Sequence, residues 1–118
     1  MRNILFIFLC APFFAFAGDG PSTDAALEAE DALIALEGDV EYGEYLSSEC
    51  TGCHLASGAN DGIPSIVGWD EETFRYSMLD YRTKLREHPV MNMIAGRLSD
   101  EEIAALSAYF ATLEVSEN

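Results

Sequence analysis

Basic side chains are scarce in this chain of 118 residues, which contains six Lys and Arg against 21 Asp and Glu and has a formal net charge of −15. This balance excludes nucleic acid as a partner, because proteins that bind nucleic acid present clustered Lys and Arg to the phosphates. It also excludes binding to an anionic membrane surface. The acidic field instead favours partners with basic docking surfaces, although a purely solubilising role explains the same charge equally well.

Cysteine and histidine are also rare, with three and two residues in the chain. Outside the first 17 residues they reduce to Cys50, Cys53, His54 and His88. A structural zinc site normally takes four ligands, so a zinc site in this chain would have to use all four of these residues. The sequence further lacks internal repeats, convincing strand patterns and a Gly-rich phosphate loop. We therefore expect an all-helical fold.

The first 17 residues have the features of an export signal. Arg2 is followed by an apolar run from Ile4 to Phe16, and Ala15-Phe16-Ala17 is a small-x-small cleavage site. The run is short for a bilayer span, and the Gly- and Pro-containing residues 18–21 end any helix, which disfavours a retained anchor. We predict a signal peptide over residues 1–17, a periplasmic location and no membrane span in the mature chain.

Cys50-Thr51-Gly52-Cys53-His54 is the most informative motif, because a Cys-x-x-Cys-His sequence is the attachment site of a c-type haem. Residues three apart on a helical turn lie side by side, so the two thiols can each bond to one vinyl group of the same porphyrin. His54 then follows as an axial ligand of the iron. We predict one covalently bound haem c, with electron transfer as the leading function.

A cysteine pair of this spacing also occurs in thiol–disulfide sites and as half of a zinc site. A thioredoxin-like site has a strand before the pair, whereas Val40 to Cys50 has a helical pattern. These readings are the alternatives to haem attachment.

The chain divides near residue 38 by composition. Residues 18–38 are rich in Ala and acidic residues and contain few large apolar ones, namely Leu27, Leu33, Ile34 and Leu36. We predict an acidic leader or tether with a weak helical pattern, outside the core, and a haem-binding domain over residues 39–118.

Helix starts and apolar spacings predict the elements of this domain. Asp39 is the expected N-cap of a first helix with a Tyr42 and Leu46 stripe, and Asp70 that of a second helix. Ser99 and Glu102 form a capping box for the last helix, whose stripe should pack on the first helix. The two apolar stripes consist of Phe74, Met78, Leu79 and Tyr81 in the second helix, and of Ile103, Leu106, Phe110 and Leu113 in the last.

The connections between these helices have loop-like composition. Leu55 to Gly62 and Thr83 to Pro89 read as loops, and the apolar stretch from Ile63 to Trp69 reads as an extended segment packed on the cofactor.

Met91 and Met93 are both candidates for the sixth iron ligand, since a thioether opposite a histidine is a common ligand pair in c-type cytochromes. Met78 is a third candidate, although its position in an apolar stripe already accounts for it. His88, next to Pro89 in a loop, is expected to be exposed.

The order of several short motifs resembles that of the small class I c-type cytochromes. It is most similar to the cytochrome subunit of flavocytochrome c sulfide dehydrogenase and to cytochromes of the c4 and c553 kind, over roughly Gly43 to Leu113. The motifs are Cys50-Thr51-Gly52-Cys53-His54, Pro64-Ser65-Ile66-Val67-Gly68, Tyr81-Arg82, and Met91 through Ile103 with the aromatic helix after it.

This resemblance implies a small cytochrome c fold with helices wrapped around the haem. It implies Met91 rather than Met93 as the ligand, because the ligand in those proteins stands eight positions before the Ser that caps the last helix. It further implies that the Pro64 carbonyl accepts a hydrogen bond from the His54 ring. Trp69 and Arg82 have suitable types for bonding the haem propionates, but each has an equally ordinary structural role.

Two functions share this haem site. The first is a mobile carrier of electrons between redox proteins. The second is the electron-accepting subunit of a flavoprotein sulfide dehydrogenase, in which this chain would perform no bond chemistry itself.

Overall fold

A computed structural model describes residues 23–60 and 62–115, so the predicted signal peptide and residues 18–22 lie outside the described residues. Within these ranges all regular structure is helical and no strand occurs, which confirms the predicted fold class. None of the helices within residues 23–60 and 62–115 combines the length and the hydropathy of a membrane span. The helices are α1 (Thr23–Ala35), α2 (Val40–Leu46), α3 (Ser48–Thr51), α4 (Glu71–Thr83), α5 (Pro89–Arg97) and α6 (Asp100–Thr112).

The three predicted helix starts are confirmed by their capping hydrogen bonds. The Asp39 carboxylate accepts from the Tyr42 backbone N–H at 2.9 Å, and the Asp70 carboxylate accepts from that of Thr73 at 2.9 Å. At α6 the full capping box is present. These caps were predictable because each depends on residues three positions apart in the chain.

The capping box of α6 satisfies two backbone donors. The Ser99 hydroxyl accepts from the Glu102 N–H at 3.2 Å, and the Glu102 carboxylate accepts from the Ser99 N–H at 2.8 Å. The predicted stripe of the same helix forms the centre of the core, since Ile103, Leu106 and Phe110 are fully buried. Phe110 stacks on Phe74 of α4 with ring centroids 5.7 Å apart.

The predicted packing of the first domain helix against the last is confirmed for α2 and α6, and the Tyr42 hydroxyl donates to the Glu102 carboxylate of α6 at 3.4 Å. Gly43 is the buried residue of α2, whereas Tyr42 is exposed and Leu46 packs at the edge of the core. A Cβ atom added at Gly43 would overlap the carbonyl of Ala105. The backbones of the two helices therefore approach directly, without large side chains between them.

Gly38, just before α2, makes the same kind of approach. A Cβ atom at this position would overlap the Ala104 carbonyl and the Ala108 side chain. Small residues on both partners thus set the spacing of α2 and α6.

The helix predicted from Val40 to Cys50 is interrupted. α2 ends at Leu46, Ser47 lies between the helices, and α3 begins at Ser48. The Ser47 hydroxyl donates to the Glu44 carbonyl at 2.7 Å, a local bond that competes with helix continuation.

Residues 18–38 were expected outside the core, and the described part of this segment is placed differently. Leu33 on α1 is only 1% exposed and belongs to the core cluster, with Leu36 packed beside it. The sequence pattern did not predict this contact, because α1 has few apolar residues. One buried leucine, Leu33, is nevertheless enough to dock the helix on the core. The domain limits at residues 17 and 38 stay predictions.

Arg75 of α4 explains why α1 is held at its carboxyl end. This guanidinium is buried at 3% exposure and donates to backbone carbonyls that end α1. Such carbonyls lack intrahelical partners and attract a cation. Its hydrogen-bond acceptors are the carbonyls of Leu33 (3.3 Å), Ile34 (2.8 Å) and Leu36 (2.6 Å), the Ser107 hydroxyl (2.8 Å) and the Glu71 carboxylate (2.5 Å).

The Thr83 to Pro89 loop is confirmed, and it leads into α5, a helix that the sequence analysis did not predict. Lys84 adopts a left-handed conformation with φ of 63° after α4 ends. His88 is the N-cap of α5 and Pro89 its first residue, a position that proline favours.

Candidate functional site

The predicted site residues Cys50, Cys53, His54 and Met91 all line one cleft. Its empty volume is about 790 Å³, counting the space that is open to solvent. The lining comes from α3 and the motif after it, from the Pro64 to Trp69 segment, from α4 and the loop after it, and from α5. It includes Cys50, Cys53, His54, Pro64, Ile66, Trp69, Phe74, Met78, Tyr81, Arg86, Val90, Met91 and Ile94.

The Cys50 to His54 motif forms a helical turn at the cleft. The His54 N–H donates to the Cys50 carbonyl at 2.8 Å, and the Cys53 N–H donates to the same carbonyl at 3.1 Å. Both cysteines are free thiols, with Cys50 buried and Cys53 exposed. The turn brings both sulfur-bearing residues and the imidazole to one cavity, as haem attachment requires.

The thiol chemistry of Cys50 disfavours the thiol–disulfide alternative. Burial raises the pKa of the Cys50 thiol to about 11, and the neighbouring Glu49 carboxylate adds to the shift. A disulfide-exchange site needs a thiolate, which forms where the thiol pKa is lowered. Cys50 is protonated at neutral pH, so the folded chain presents no activated nucleophile at this position.

The zinc alternative also finds no support among the residues that the structure describes. No group of three or more His, Cys, Asp and Glu side chains is arranged there to hold a metal ion. His88, the fourth ligand that such a site would need, is absent from the cleft lining.

The predicted contact between His54 and Pro64 is confirmed. Nδ1 of His54 lies 2.6 Å from the Pro64 carbonyl oxygen. A carbonyl oxygen only accepts, so Nδ1 is the donor, and in the neutral imidazole Nε2 then keeps its lone pair. This is the tautomer that an iron ligand requires, with the second nitrogen fixing the ring orientation.

The three candidate methionines differ in position. Met91 is half-buried and lines the cleft, and Met78 lines it from α4 with 5% exposure. Met93 is 57% exposed and is not part of the lining. The structure thus separates Met91 from Met93 on grounds independent of the resemblance.

His88 and Arg82 have structural roles outside the cleft. His88 is exposed, as expected, and its Nδ1 accepts from the Met91 N–H at 3.3 Å. Arg82 pairs with the Asp100 carboxylate at 2.5 Å and donates to the Leu98 carbonyl at 2.8 Å at the end of α5. Of the two residues considered for the propionates, only Trp69 lines the cleft.

Sequence reasoning did not single out Arg86, which lies in the cleft lining. Its guanidinium stacks over the Tyr81 ring, with 5.2 Å between Cζ and the ring centroid. It also lies 3.7 Å from the Asp80 carboxylate. The available signal was the concentration of basic residues in this stretch, just before Met91.

These residues fit a haem c. The walls are mainly apolar and aromatic, which suits the faces of a porphyrin and excludes water. Two thiols, an imidazole with a free Nε2 and a thioether supply the tethers and ligands that this cofactor takes. Arg86 offers a positive charge that would suit a propionate carboxylate of the haem.

Three characterised proteins are similar to this chain, while no protein-family model matches it. The chain is 36% identical over 104 residues to the cytochrome subunit of sulfide dehydrogenase from Chlorobaculum tepidum. That match covers 87% of this chain and 92% of the relative.

The other two relatives are longer. The thiosulfate dehydrogenase electron acceptor of Stutzerimonas stutzeri is 31% identical over 83 residues, covering 70% of this chain and 38% of that protein. Cytochrome c4 of Pseudomonas aeruginosa is 35% identical over 71 residues, covering 54% of this chain and 35% of that protein. All three matches point to the same class of electron-transfer protein.

Proposed function

Because the chain belongs to the c-type cytochromes, in the group that includes the cytochrome subunit of sulfide dehydrogenase, we propose that it transfers electrons through one covalently attached haem c with His54 and Met91 as axial ligands. Its helices form the small all-helical cytochrome c fold. Cys50 and Cys53 are the proposed tethers.

The observation that carries the proposal is the meeting of distant residues in one cleft. Met91 on α5 lines the same cavity as Cys50, Cys53 and His54, although it lies far along the chain from them. When bound, a haem supplies a one-electron redox couple. The chain orients the imidazole through Pro64 and keeps water away with apolar walls, and both influences tune the potential of such a centre.

We propose a periplasmic location, from the export signal over residues 1–17, and partners that are redox proteins with basic docking surfaces. An export signal directs a chain across the inner membrane. Covalent haem attachment in bacteria takes place on the same side of that membrane, so the haem motif supports the same location. The charge of −15 supports the partners, because it attracts basic surfaces at a distance.

The proposed division of the chain is a signal peptide over residues 1–17, an acidic leader over residues 18–38 and the cytochrome c domain over residues 39–118. Mass spectrometry of the exported protein tests the first limit, since a mature chain that begins at Gly18 is expected. A retained residue 1–17 segment would contradict it.

A second candidate function is the electron-accepting cytochrome subunit of a flavoprotein sulfide dehydrogenase. The relative of that name matches this chain over nearly the full length of both proteins. In this role the chain receives electrons from a flavoprotein and catalyses no bond chemistry.

One purification distinguishes the two candidates. The native protein is purified at low and at moderate salt, and haem and flavin absorbance are recorded across a sizing column. Haem alone at the size of a small monomer supports the mobile carrier, and haem with flavin in both salts supports the subunit. A colourless protein would contradict both.

A further inference from the structure

The connection between α4 and α5 is held by one side chain, that of Asn92, which the sequence analysis did not single out. Its amide nitrogen Nδ2 donates to the Tyr81 carbonyl at 2.6 Å and to the Arg86 carbonyl at 2.9 Å. Its amide oxygen Oδ1 accepts from the His88 backbone N–H at 2.9 Å. Three backbone groups, from the end of α4, from the loop and from the start of α5, thus meet at one half-buried amide.

The orientation of this amide is fixed by its partners. A carbonyl oxygen accepts and cannot donate, so the group that faces Tyr81 and Arg86 has to be the NH₂ group of Asn92. The other end faces an N–H and has to be the acceptor. Both ends of the amide are therefore used. Aspartate and leucine have a similar size, but neither side chain could make all three bonds.

The groups that Asn92 bonds are ones that helix ends leave without intrahelical partners. The Tyr81 carbonyl lies in the last turn of α4, where it also accepts from the Lys84 N–H at 3.3 Å. The His88 N–H lies at the amino-terminal end of α5. The backbone N–H of Asn92 donates to the His88 carbonyl at 2.8 Å, so these two residues are bonded in both directions. Asn92 therefore ties the end of one helix to the beginning of the next.

Asn92 lies behind the cleft rather than in its wall. It is not part of the lining, whereas Tyr81, Arg86 and Met91 are. Its amide bonds the backbone of the first two, and Met91 directly precedes it in the chain. The Met91 N–H in turn donates to Nδ1 of His88, the residue whose backbone Asn92 holds. Asn92 thus joins lining residues from α4, from the loop and from α5.

Arg82 and Asn92 hold opposite ends of α5. Arg82 donates to the carbonyls of Ala95 (3.3 Å) and Leu98 (2.8 Å) at the carboxyl end. The amino-terminal end, which carries Met91, is held through Asn92. Among the helices of residues 23–60 and 62–115, α5 packs against α4 alone, so these bonds supply much of what fixes its position.

Resting on the proposed haem ligation, we propose that Asn92 is a positioning residue for Met91, which keeps the ligand thioether at the cleft by fixing the loop and the amino-terminal end of α5. Partners that hold a metal ligand commonly set its orientation and the strength of its bond. Asn92 touches no reacting group, so its effect passes through the backbone of α5. Its loss should let this end of α5 move and should weaken the thioether against a competing ligand.

Imidazole titration of the haem-loaded protein tests this role. Added imidazole competes with the Met91 thioether for the oxidised iron, one ligand replacing the other without electron transfer, and the visible spectrum reports its affinity. Asn92→Leu keeps the size of the side chain and removes all three bonds, so it should raise the imidazole affinity by about tenfold or more. Met91→Ala has no thioether to displace and should bind imidazole most tightly.

Thr83→Val is the matched control. Thr83 is the last residue of α4, and its hydroxyl donates to the Leu79 carbonyl at 2.9 Å, within the same helix. The change removes a side-chain bond to the backbone at the same connection but leaves α5 untouched. The imidazole affinity should therefore stay within about twofold of the parent value.

Amide hydrogen exchange of the haem-loaded protein gives a reading that does not depend on the iron. In Asn92→Leu the His88 N–H loses its acceptor and should exchange about tenfold faster or more, whereas the amides of α6 should keep their rates. Asn92→Asp is a second variant in case Asn92→Leu does not fold. It keeps the acceptor for His88 but loses both donors, and it should also raise the imidazole affinity.

Three results would overturn the proposal. If both Asn92 variants bind imidazole as the parent does while Met91→Ala binds it more tightly, Met91 is the ligand and Asn92 does not position it. If Asn92→Leu speeds exchange equally in α6, the side chain stabilises the whole fold rather than the start of α5. If Met91→Ala binds imidazole no more tightly than the parent, the proposed ligation itself is wrong, and the positioning role falls with it.

Discussion

Among single residues, the two cleft methionines present the sharpest choice. Met91 and Met78 both line the cavity, but Met78 is also a member of the buried core cluster with Phe74 and Leu106. Met91 is half-buried at the start of α5 and packs against this cluster without being a member of it. This difference in packing supports Met91 as the proposed ligand.

Met91→Ala should lower the reduction potential and change the visible spectrum, because loss of a thioether ligand opens a coordination site. Optical titration against a reference electrode measures both effects. Met93→Ala is the matched control and should leave spectrum and potential unchanged, since Met93 is outside the lining. The reverse pattern would assign the ligand to Met93.

Arg75→Gln should destabilise the protein by about 3 kcal/mol or more, because it leaves buried carbonyls at the end of α1 without their donor. Urea unfolding of the haem-loaded protein measures the change. Lys84→Gln, which removes an exposed charge, should cost less than about 0.5 kcal/mol. Equal effects of the two variants would show that the Arg75 contacts contribute little.

The sequence could not reveal the burial of Arg75. Its acceptors include three backbone carbonyls, which have no signature in side-chain types, and Ser107, which lies 32 residues away. The contact between His54 and Pro64 involves a backbone carbonyl too. It was predictable only because a family resemblance supplied it.

At the scale of helices, most features set by residues close in sequence were predicted, whereas most contacts between distant residues were not. The caps of α2, α4 and α6 were predicted, since each is a short-range hydrogen bond. α5 was missed although His88 and Pro89 mark its start, because its apolar positions were considered as candidate ligands rather than as a stripe. The Gly43 contact was missed because a glycine has no side chain to enter an apolar pattern.

Gly43→Ala should destabilise the fold by about 2 kcal/mol or more, because the added methyl overlaps the Ala105 carbonyl and forces α2 and α6 apart. The matched control is Gly96→Ala on α5, where the added Cβ meets no atom within 4 Å. That change should stabilise the protein by about 0.5–1 kcal/mol through helix propensity. Thermal unfolding of both variants measures the contrast, and destabilisation by both would refute the packing account.

The cap of α4 should make a pH-dependent contribution to stability. The hydrogen bond from the Thr73 backbone amide to the Asp70 carboxylate is the main cause that lowers the pKa of Asp70. A lowered pKa in the folded state means stability that is present above the unfolded value of about 3.9 and is lost as the pH falls through the folded value.

Asp70→Asn keeps an N-cap acceptor but removes this titration. The stability advantage of the parent protein over Asp70→Asn should therefore shrink as the pH falls below about 4. Urea unfolding between pH 6 and pH 2, with Asp24→Asn as a control at an exposed carboxylate of α1, measures the difference. A constant difference across this range would contradict the assignment.

For the whole molecule, the cofactor is expected to complete the core. The cleft is bounded by side chains from three helices and two connecting segments, and several belong to the buried cluster, including Cys50, Ile66 and Phe74. A covalently attached haem stays on the unfolded chain, so it would stabilise the folded state through the apolar contacts that form only there. On the proposed function, folding and haem attachment are therefore linked.

Cys50→Ala/Cys53→Ala should give a colourless protein whose melting temperature is lower by more than about 10 °C, because the apolar cleft is left without its occupant. Circular dichroism and pyridine haemochrome spectra measure stability and haem content. Ser57→Ala, outside the cleft lining, is the control. A colourless double variant with unchanged melting temperature would show that the core does not depend on the cofactor.

The close approach of α2 and α6 has a consequence for the newly made chain. Residues 38–54 precede residues 100–112, so a chain exported with its amino-terminal end first delivers Gly38 and Gly43 before the surface of α6 on which they pack. Until α6 arrives, the pair of thiols stays on an unclosed chain. In the proposed periplasmic route, the arrival of the final helix therefore ends the interval during which the attachment motif is reachable.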